Sequence, residues 1–195
     1  MNLNVNEIFY SLQGEGARTG EASIFIRLTQ CNLKCDFCDT EFDTGADMTL
    51  EEIWSEISQY PCRWIIWTGG EPTLQLTDDV LLFFKSKGYK QAIESNGLKT
   101  LSSLLDYTVC SPKGNNFAFL KKVNPKVTEI RLPVMAGDKL PEIKELPEAK
   151  YYFLSPVFDT DSQATAKNIN YCVEQIKSHS EWRLSIQTHK LINIP

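Results

Sequence analysis

Short apolar runs that each break into a glycine-rich or polar turn, alternating with helix-patterned stretches, constrain this chain most. Ser23–Leu28 (SIFIRL), Trp64–Thr68 (WIIWT), Gln91–Glu94, Thr108–Cys110, Val127–Leu132, Tyr151–Leu154 and Leu184–Gln187 read as strands. Between them lie helix signals. Thr49 opens a helix and Glu52, three residues on, completes a capping box, with Ile53 and Ile57 on one face. Thr77 caps a second helix over Asp78–Lys87, which Gly88 stops. A third covers about Gln163–Lys177, with Ala166, Ile169, Val173 and Ile176 at helical spacing. This alternation predicts parallel βα units. Seven or eight strands with few full helices in 195 residues predict an α/β fold of one domain, 1–195. Its form would be an incomplete, TIM-like (βα) barrel with reduced helices, since a closed barrel typically needs ~250 residues. Sites in such sheets lie at the C-terminal ends of the strands.

The first of these strand ends carries Cys31-Asn-Leu-Lys-Cys35-Asp-Phe-Cys38, a CxxxCxxC loop with an aromatic before the third cysteine. Three thiolates on one short loop can hold three irons of a 4Fe–4S cluster, whose irons are normally each bound by cysteine. No fourth cysteine follows at nearby spacing. An open iron is expected, and an open metal position is where chemistry occurs. The spacing resembles the radical S-adenosylmethionine superfamily, in which that iron chelates the amino and carboxylate groups of the cofactor. A zinc site is the rival reading, but structural zinc wants four ligands, and His179 and His189 both lie far from the loop in sequence. A disulfide fits less well, because no secretory signal is legible and a reducing, cytoplasmic setting is the natural one.

No apolar run approaches the ~20 residues needed to cross a bilayer. A net charge of −5 gives no electrostatic reason to expect nucleic acid as a partner. Cys62, Cys110 and Cys172 stand alone in sequence; Cys110 and Cys172 read as buried small hydrophobes.

Other strand ends carry further candidates. Gly69-Gly70-Glu71-Pro72 follows WIIWT; glycines there let a ligand approach the backbone, and Glu71 can accept from an ammonium group. Alone, it reads as an ordinary turn. Glu94-Ser95-Asn96-Gly97 is explained by a turn, or places Asn96 against a cofactor. Ser111-Pro112-Lys113 ends in a lysine that is either a solvated charge or a counter-ion for a carboxylate. Thr40 is a turn residue or a hydroxyl ligand for Mg²⁺, which prefers oxygen and often keeps substrate or water in its shell. Ser11-Leu12-Gln13-Gly14-Glu15-Gly16 reads as a hairpin-like turn between two strands, yet Gln13 and Glu15 suit the edge of a pterin or purine. Arg27 interrupts an apolar strand, so an anion such as a substrate carboxylate is a reasonable partner. The apolar tail from Gln187 to Pro195 is expected to dock rather than fray.

Taken together, SLQGEG (11–16), FIRL (25–28), CxxxCxxCDT (31–40), TGGEP (68–72), SPK (111–113) and QTHK (187–190) resemble the 7-carboxy-7-deazaguanine synthase family, in that family's order. The resemblance spans residues 11 to 195. It implies a single radical S-adenosylmethionine domain that converts 6-carboxy-5,6,7,8-tetrahydropterin to 7-carboxy-7-deazaguanine with loss of ammonia, a lyase step of queuosine and 7-deazapurine biosynthesis. Cys31, Cys35 and Cys38 would bind the 4Fe–4S cluster. Phe37, Cys38, Asp39, Gly70, Asn96 and the Ser111, Pro112, Lys113 segment would contact S-adenosylmethionine, and Thr40 would ligate Mg²⁺. Leu12, Gln13, Gly14, Glu15, Arg27, Thr68 and His189 would hold the pterin, with the carboxylate of Pro195 reaching it as well. A homodimer and a flavodoxin-like electron donor are implied partners.

Family members commonly read LQP after a late strand, whereas this chain has Leu154-Ser155-Pro156, so a cofactor contact there is in question. Three other readings stand beside the family. A glycyl-radical activating enzyme shares the cysteine spacing and the GGE turn but needs a surface for a large protein partner. A simple iron–sulfur electron carrier wants four cysteine ligands and no cofactor pocket. A zinc-binding module would hold zinc without iron or sulfide.

Overall fold

A computed structural model describes residues 1–38 and 40–195. One nine-stranded sheet organises them, in the order β3-β1-β2-β4-β5-β6-β7-β8-β9. β1 (Asn2–Leu12) pairs antiparallel with β2 (Ala22–Leu28) and, on its other side, with β3 (Ala46–Thr49). From β2 onward every pairing is parallel, through β4 (Trp64–Gly69), β5 (Lys90–Ser95), β6 (Tyr107–Cys110), β7 (Lys126–Val134), β8 (Glu148–Pro156) and β9 (Arg183–Leu184). The sheet ends on β3 and β9 and does not close, which is the expected partial barrel.

α1 spans Leu50–Ile57, α2 Asp78–Ser86, α3 Phe117–Val123, α4 Ser162–Ser178 and α5 Thr188–Ile192. The helices are short apart from α4, whose 17 residues match the long helix expected over about Gln163–Lys177. The capping box forms: the Glu52 amide donates to Thr49 Oγ1 at 3.2 Å, and the Thr49 amide donates to Glu52 Oε2 at 2.7 Å. Thr77 caps α2, and Gly88, at φ +83°, follows its end. α1 and α2 lay Ile53, Ile57, Val80, Leu81 and Phe84 against Ile24, Ile26, Leu28, Ile65, Trp67 and Ile93 of the sheet. A second core joins α3 and α4, through Leu120 and Cys172, to Ile130, Leu132 and Leu154.

Alternation along each strand then fixes what faces the other way. Phe25 and Arg27, Thr68, Glu94, Arg131 and Ser155 leave the helix side and line one cavity. The sheet curls enough that the turn after β1 reaches β7, where the Ala17 amide donates to Glu129 Oε2 at 3.1 Å. No helix is long and apolar enough to cross a membrane among the described residues.

Three elements differ from expectation. β3 escapes the sequence reading because ADMT shows no apolar alternation and is recruited only as an edge partner of β1. The strand expected over Leu184–Gln187 stops at Leu184, and the segment turns instead into α5. α3 has no counterpart in the sequence reading, because its seven residues are too few to display a helical period.

Candidate active site

The cysteine loop is seated by the two glycines after β4. Gln30 takes φ +68°, its amide donates to the Phe42 carbonyl at 3.3 Å, and its own carbonyl accepts from the Glu71 amide at 2.8 Å. The Gly70 amide donates to the Leu28 carbonyl at 3.0 Å. A Cβ on Gly70 would overlap the Gln30 carbonyl, and one on Gly69, at φ +116°, would overlap the Leu28 backbone. The close approach that glycine permits here is therefore that of the chain's own cysteine loop. Glu71 also departs from expectation. Its buried carboxylate accepts from the Thr73 amide (3.1 Å) and hydroxyl (2.6 Å), the Ser95 hydroxyl (2.8 Å) and the Asn96 amide (2.8 Å). It is committed to joining β4 to β5, not to receiving an ammonium group.

Cys31, Cys35 and Cys38 line a cavity of about 370 Å³ at the C-terminal ends of the strands. The Cys38 amide donates to the Cys35 carbonyl at 3.1 Å, and the Leu33 amide to Cys31 Sγ at 3.4 Å. Burial pushes the Cys35 thiol up; Lys113 opposes that, and the neighbouring Cys38 and Cys31 add to it. Thiolates at Cys31 and Cys38 would thus oppose ionisation of Cys35, a cost that a cationic cluster relieves. The other cysteines serve elsewhere. Cys110 and Cys172 are buried in the second core, where burial pushes each thiol up to about 12. Cys62 donates to the Ala22 carbonyl at 3.1 Å. Three soft ligands in one cavity fit a 4Fe–4S cluster with one iron left for a small molecule.

Beside the thiols, Phe37, Thr40, Gly70, Asn96, Ser111 and Lys113 share the cavity wall. Asn96 serves a turn as well, its Oδ1 accepting from the Leu98 amide at 3.0 Å while its Nδ2 donates to Asn32 at 2.8 Å. Lys113 donates to Ser111 Oγ at 2.9 Å, with its ammonium 5.6 Å from the Phe37 ring centroid. Burial holds that ammonium below the usual lysine range, so an anionic partner would be welcome there. Pro112 is buried and is not part of the wall. Asp39 lies outside the described residues.

The rest of the wall comes from the β1–β2 turn, the lumen and the tail. Leu12, Gln13, Gly14, Glu15, Arg27, Thr68, His189 and Pro195 all reach it. Arg27 already has one anion, since its Nε donates to Glu7 Oε1 at 2.6 Å. Phe9 and Phe25 stack beside it with ring centroids 4.8 Å apart. The tail returns as expected. The Thr188 amide donates to the Gly14 carbonyl at 2.9 Å, and the Ser11 hydroxyl to the Pro195 oxygen at 2.9 Å. The His189 ring occupies the space a Cβ on Gly14 would need. Docking is through these polar contacts, since Leu191 and Ile192 stay exposed.

Arg131 and Glu129 went unforeseen as site residues. They stand two apart on β7, charged where their neighbours Ile130 and Leu132 are core, and that period-two break was the available signal. Arg131 ties together Glu129, Glu94 and Glu15, whose Oε1 also accepts from Ser155 at 3.2 Å. Burial pushes the Glu94 carboxyl up to about 7; Arg131 opposes the shift, and Glu129 and Glu15 reinforce it.

Residues 25–153 match the Radical SAM superfamily. The whole chain is 41% identical over 194 residues to the 7-carboxy-7-deazaguanine synthase of Bacteroides thetaiotaomicron, covering 100% of each. It is 39% identical to the protein of that name from Haemophilus influenzae, over 99% of this chain and 94% of the relative. Among solved structures it resembles QueE from Escherichia coli, with a TM-score of 0.74 and 25% identity over 97% of this chain and 95% of that one.

Proposed function

The chain belongs to the 7-carboxy-7-deazaguanine synthase family of radical S-adenosylmethionine enzymes, and from that membership we propose which residues perform the reaction and on what. The reaction is conversion of 6-carboxy-5,6,7,8-tetrahydropterin to 7-carboxy-7-deazaguanine with loss of ammonia, within one domain over residues 1–195. One observation supports this reading above the others. A single cavity holds the three cluster thiols and also a polar set, Gln13, Glu15, Arg27 and Glu94, that matches a carboxylated pterin. An iron–sulfur carrier has no use for the second half, and a large protein substrate would not need it.

Cys31, Cys35 and Cys38 would hold the 4Fe–4S cluster, and Phe37, Gly70, Asn96, Ser111 and Lys113 would seat S-adenosylmethionine in the same cavity. Lys113, poorly solvated where it stands, gains a counter-ion when a carboxylate enters. When bound, cluster and cofactor supply the one-electron chemistry that opens hydrogen abstraction from the substrate. The protein supplies placement. Gln13 and Glu15 meet the donor-rich edge of the pterin, and Arg27, whose guanidinium carries five donors, can hold Glu7 and the substrate carboxylate together. Thr40 would offer one hard oxygen to Mg²⁺, an ion that prefers oxygen ligands. Phe9, Phe25 and Phe37 give the cavity apolar wall that excludes water from the reacting atoms. The enzyme works as a homodimer in the cytoplasm, reduced by a flavodoxin-like donor.

The test is isotopic. Substrate deuterated at C6 should pass deuterium into recovered S-adenosylmethionine during turnover by the anaerobically reconstituted enzyme. Turnover with the label retained entirely in product would contradict placement of C6 next to the cofactor.

A further inference from the structure

Arg131 lies in the cavity wall, yet it has nothing left to offer a ligand. Its Nε donates to Glu129 Oε1 (2.9 Å) and its Nη2 to the same oxygen (2.7 Å) and to Glu94 Oε1 (3.3 Å). Its Nη1 donates to Glu94 Oε2 (3.0 Å) and Glu15 Oε2 (3.3 Å). A guanidinium has five N–H donors, and five bonds to three carboxylates use them all.

Those carboxylates fall into two kinds. Glu129 is fully buried and anchored from behind, accepting from the Tyr107 hydroxyl at 2.6 Å and the Ala17 amide at 3.1 Å. Glu15 and Glu94 face the cavity and keep about a fifth of their side-chain surface, 20% and 19%. Gln13 Nε2 donates to Glu94 Oε1 at 3.1 Å and the Ser155 hydroxyl to Glu15, completing a closed set at the cavity floor. The turn above presses on it closely: Gly16 takes φ +70°, and a Cβ there would strike the Glu129 carboxylate and the Arg131 guanidinium.

We propose that Arg131 is a positioning residue, locked by Glu129 and Tyr107, whose planar fork fixes Glu15 and Glu94 at the spacing that receives the donor-rich edge of the pterin. This rests on the substrate reading given above. Arginine is required because the fork spans three carboxylates in fixed directions, whereas a lysine ammonium has three donors at one point. A displacement of about 1 Å in such a site can cost about 100-fold, here in kcat/KM for the pterin that the two carboxylates receive, although the displaced groups do no chemistry.

Three variants test it, each compared with the parent for steady-state kinetics and urea unfolding under anaerobic conditions. Arg131→Lys keeps the charge and should raise KM for 6-carboxytetrahydropterin about 10- to 100-fold while KM for S-adenosylmethionine moves less than about threefold. The double variant Arg131→Gln with Glu129→Gln keeps the charge balance of the floor. It should unfold at a higher urea concentration than Arg131→Gln alone, yet retain the raised pterin KM. An unchanged pterin KM in the lysine variant overturns the inference. So does recovery of KM together with stability in the double variant, which would make Arg131 a charge balance only. A parent that turns over no 6-carboxytetrahydropterin instead overturns the substrate reading, and this inference with it.

Discussion

Replacing Glu94 by glutamine should change how stability depends on pH, by an amount the structure supplies. The Glu94 carboxyl is pushed from an ordinary 4.5 to about 7, first by burial and then by Glu129 and Glu15, against the pull of Arg131. A group that binds its proton more tightly when folded stabilises the fold fully below its unfolded value and loses that contribution as pH rises through its folded value. At about 1.4 kcal/mol per pH unit, the interval from 4.5 to about 7 corresponds to about 3 kcal/mol, of which about 2 kcal/mol is lost between pH 5 and pH 8. Glutamine is neutral at both. Urea unfolding of the cluster-loaded protein, followed by tryptophan fluorescence from the buried Trp67 and Trp182, reads the difference. The parent should lose about 2 kcal/mol more than Glu94→Gln over that pH interval. Parallel pH profiles would refute the idea that three carboxylates around one guanidinium retain a proton.

Gly70→Ala should unseat the cysteine loop, because its Cβ meets a backbone carbonyl of Gln30 that cannot move cheaply. A cost of about 2 kcal/mol or more is expected, with iron and sulfide incorporation below that of the parent; parental incorporation would remove the glycine argument. Deleting residues 193–195 should raise the pterin KM about tenfold while leaving unfolding within about 0.5 kcal/mol. An unaltered KM would make the tail, held by Ser11, a structural appendage only.

The fold was legible where apolar runs break sharply into glycine, as WIIWT does before Gly69, and where a capping box marks a start, as at Thr49. It was not legible where a segment gains its structure from a distant partner. β3 is a strand because β1 offers it an edge, and the residues after Leu184 leave the sheet to bring Thr188 back to Gly14. The site divides the same way. The cysteine loop is local chemistry at fixed spacing and can be read from eight residues. The role of Glu71 cannot, since its partners Ser95 and Asn96 lie at and just beyond the end of the next strand. Nor can that of Arg131, whose partners Glu94 and Glu15 stand 37 and 116 residues away. Only the charged pair at two-residue spacing in an apolar strand hinted that this face of β7 looks into a polar lumen.

The most direct measurement is product formation. Anaerobically reconstituted protein, mixed with S-adenosylmethionine, Mg²⁺, a reductant and 6-carboxytetrahydropterin, should yield 7-carboxy-7-deazaguanine by mass spectrometry, with none formed when the cofactor, the reductant or the cluster is omitted. Release of 5′-deoxyadenosine without that product would contradict the account, leaving a radical enzyme whose cavity floor serves another substrate.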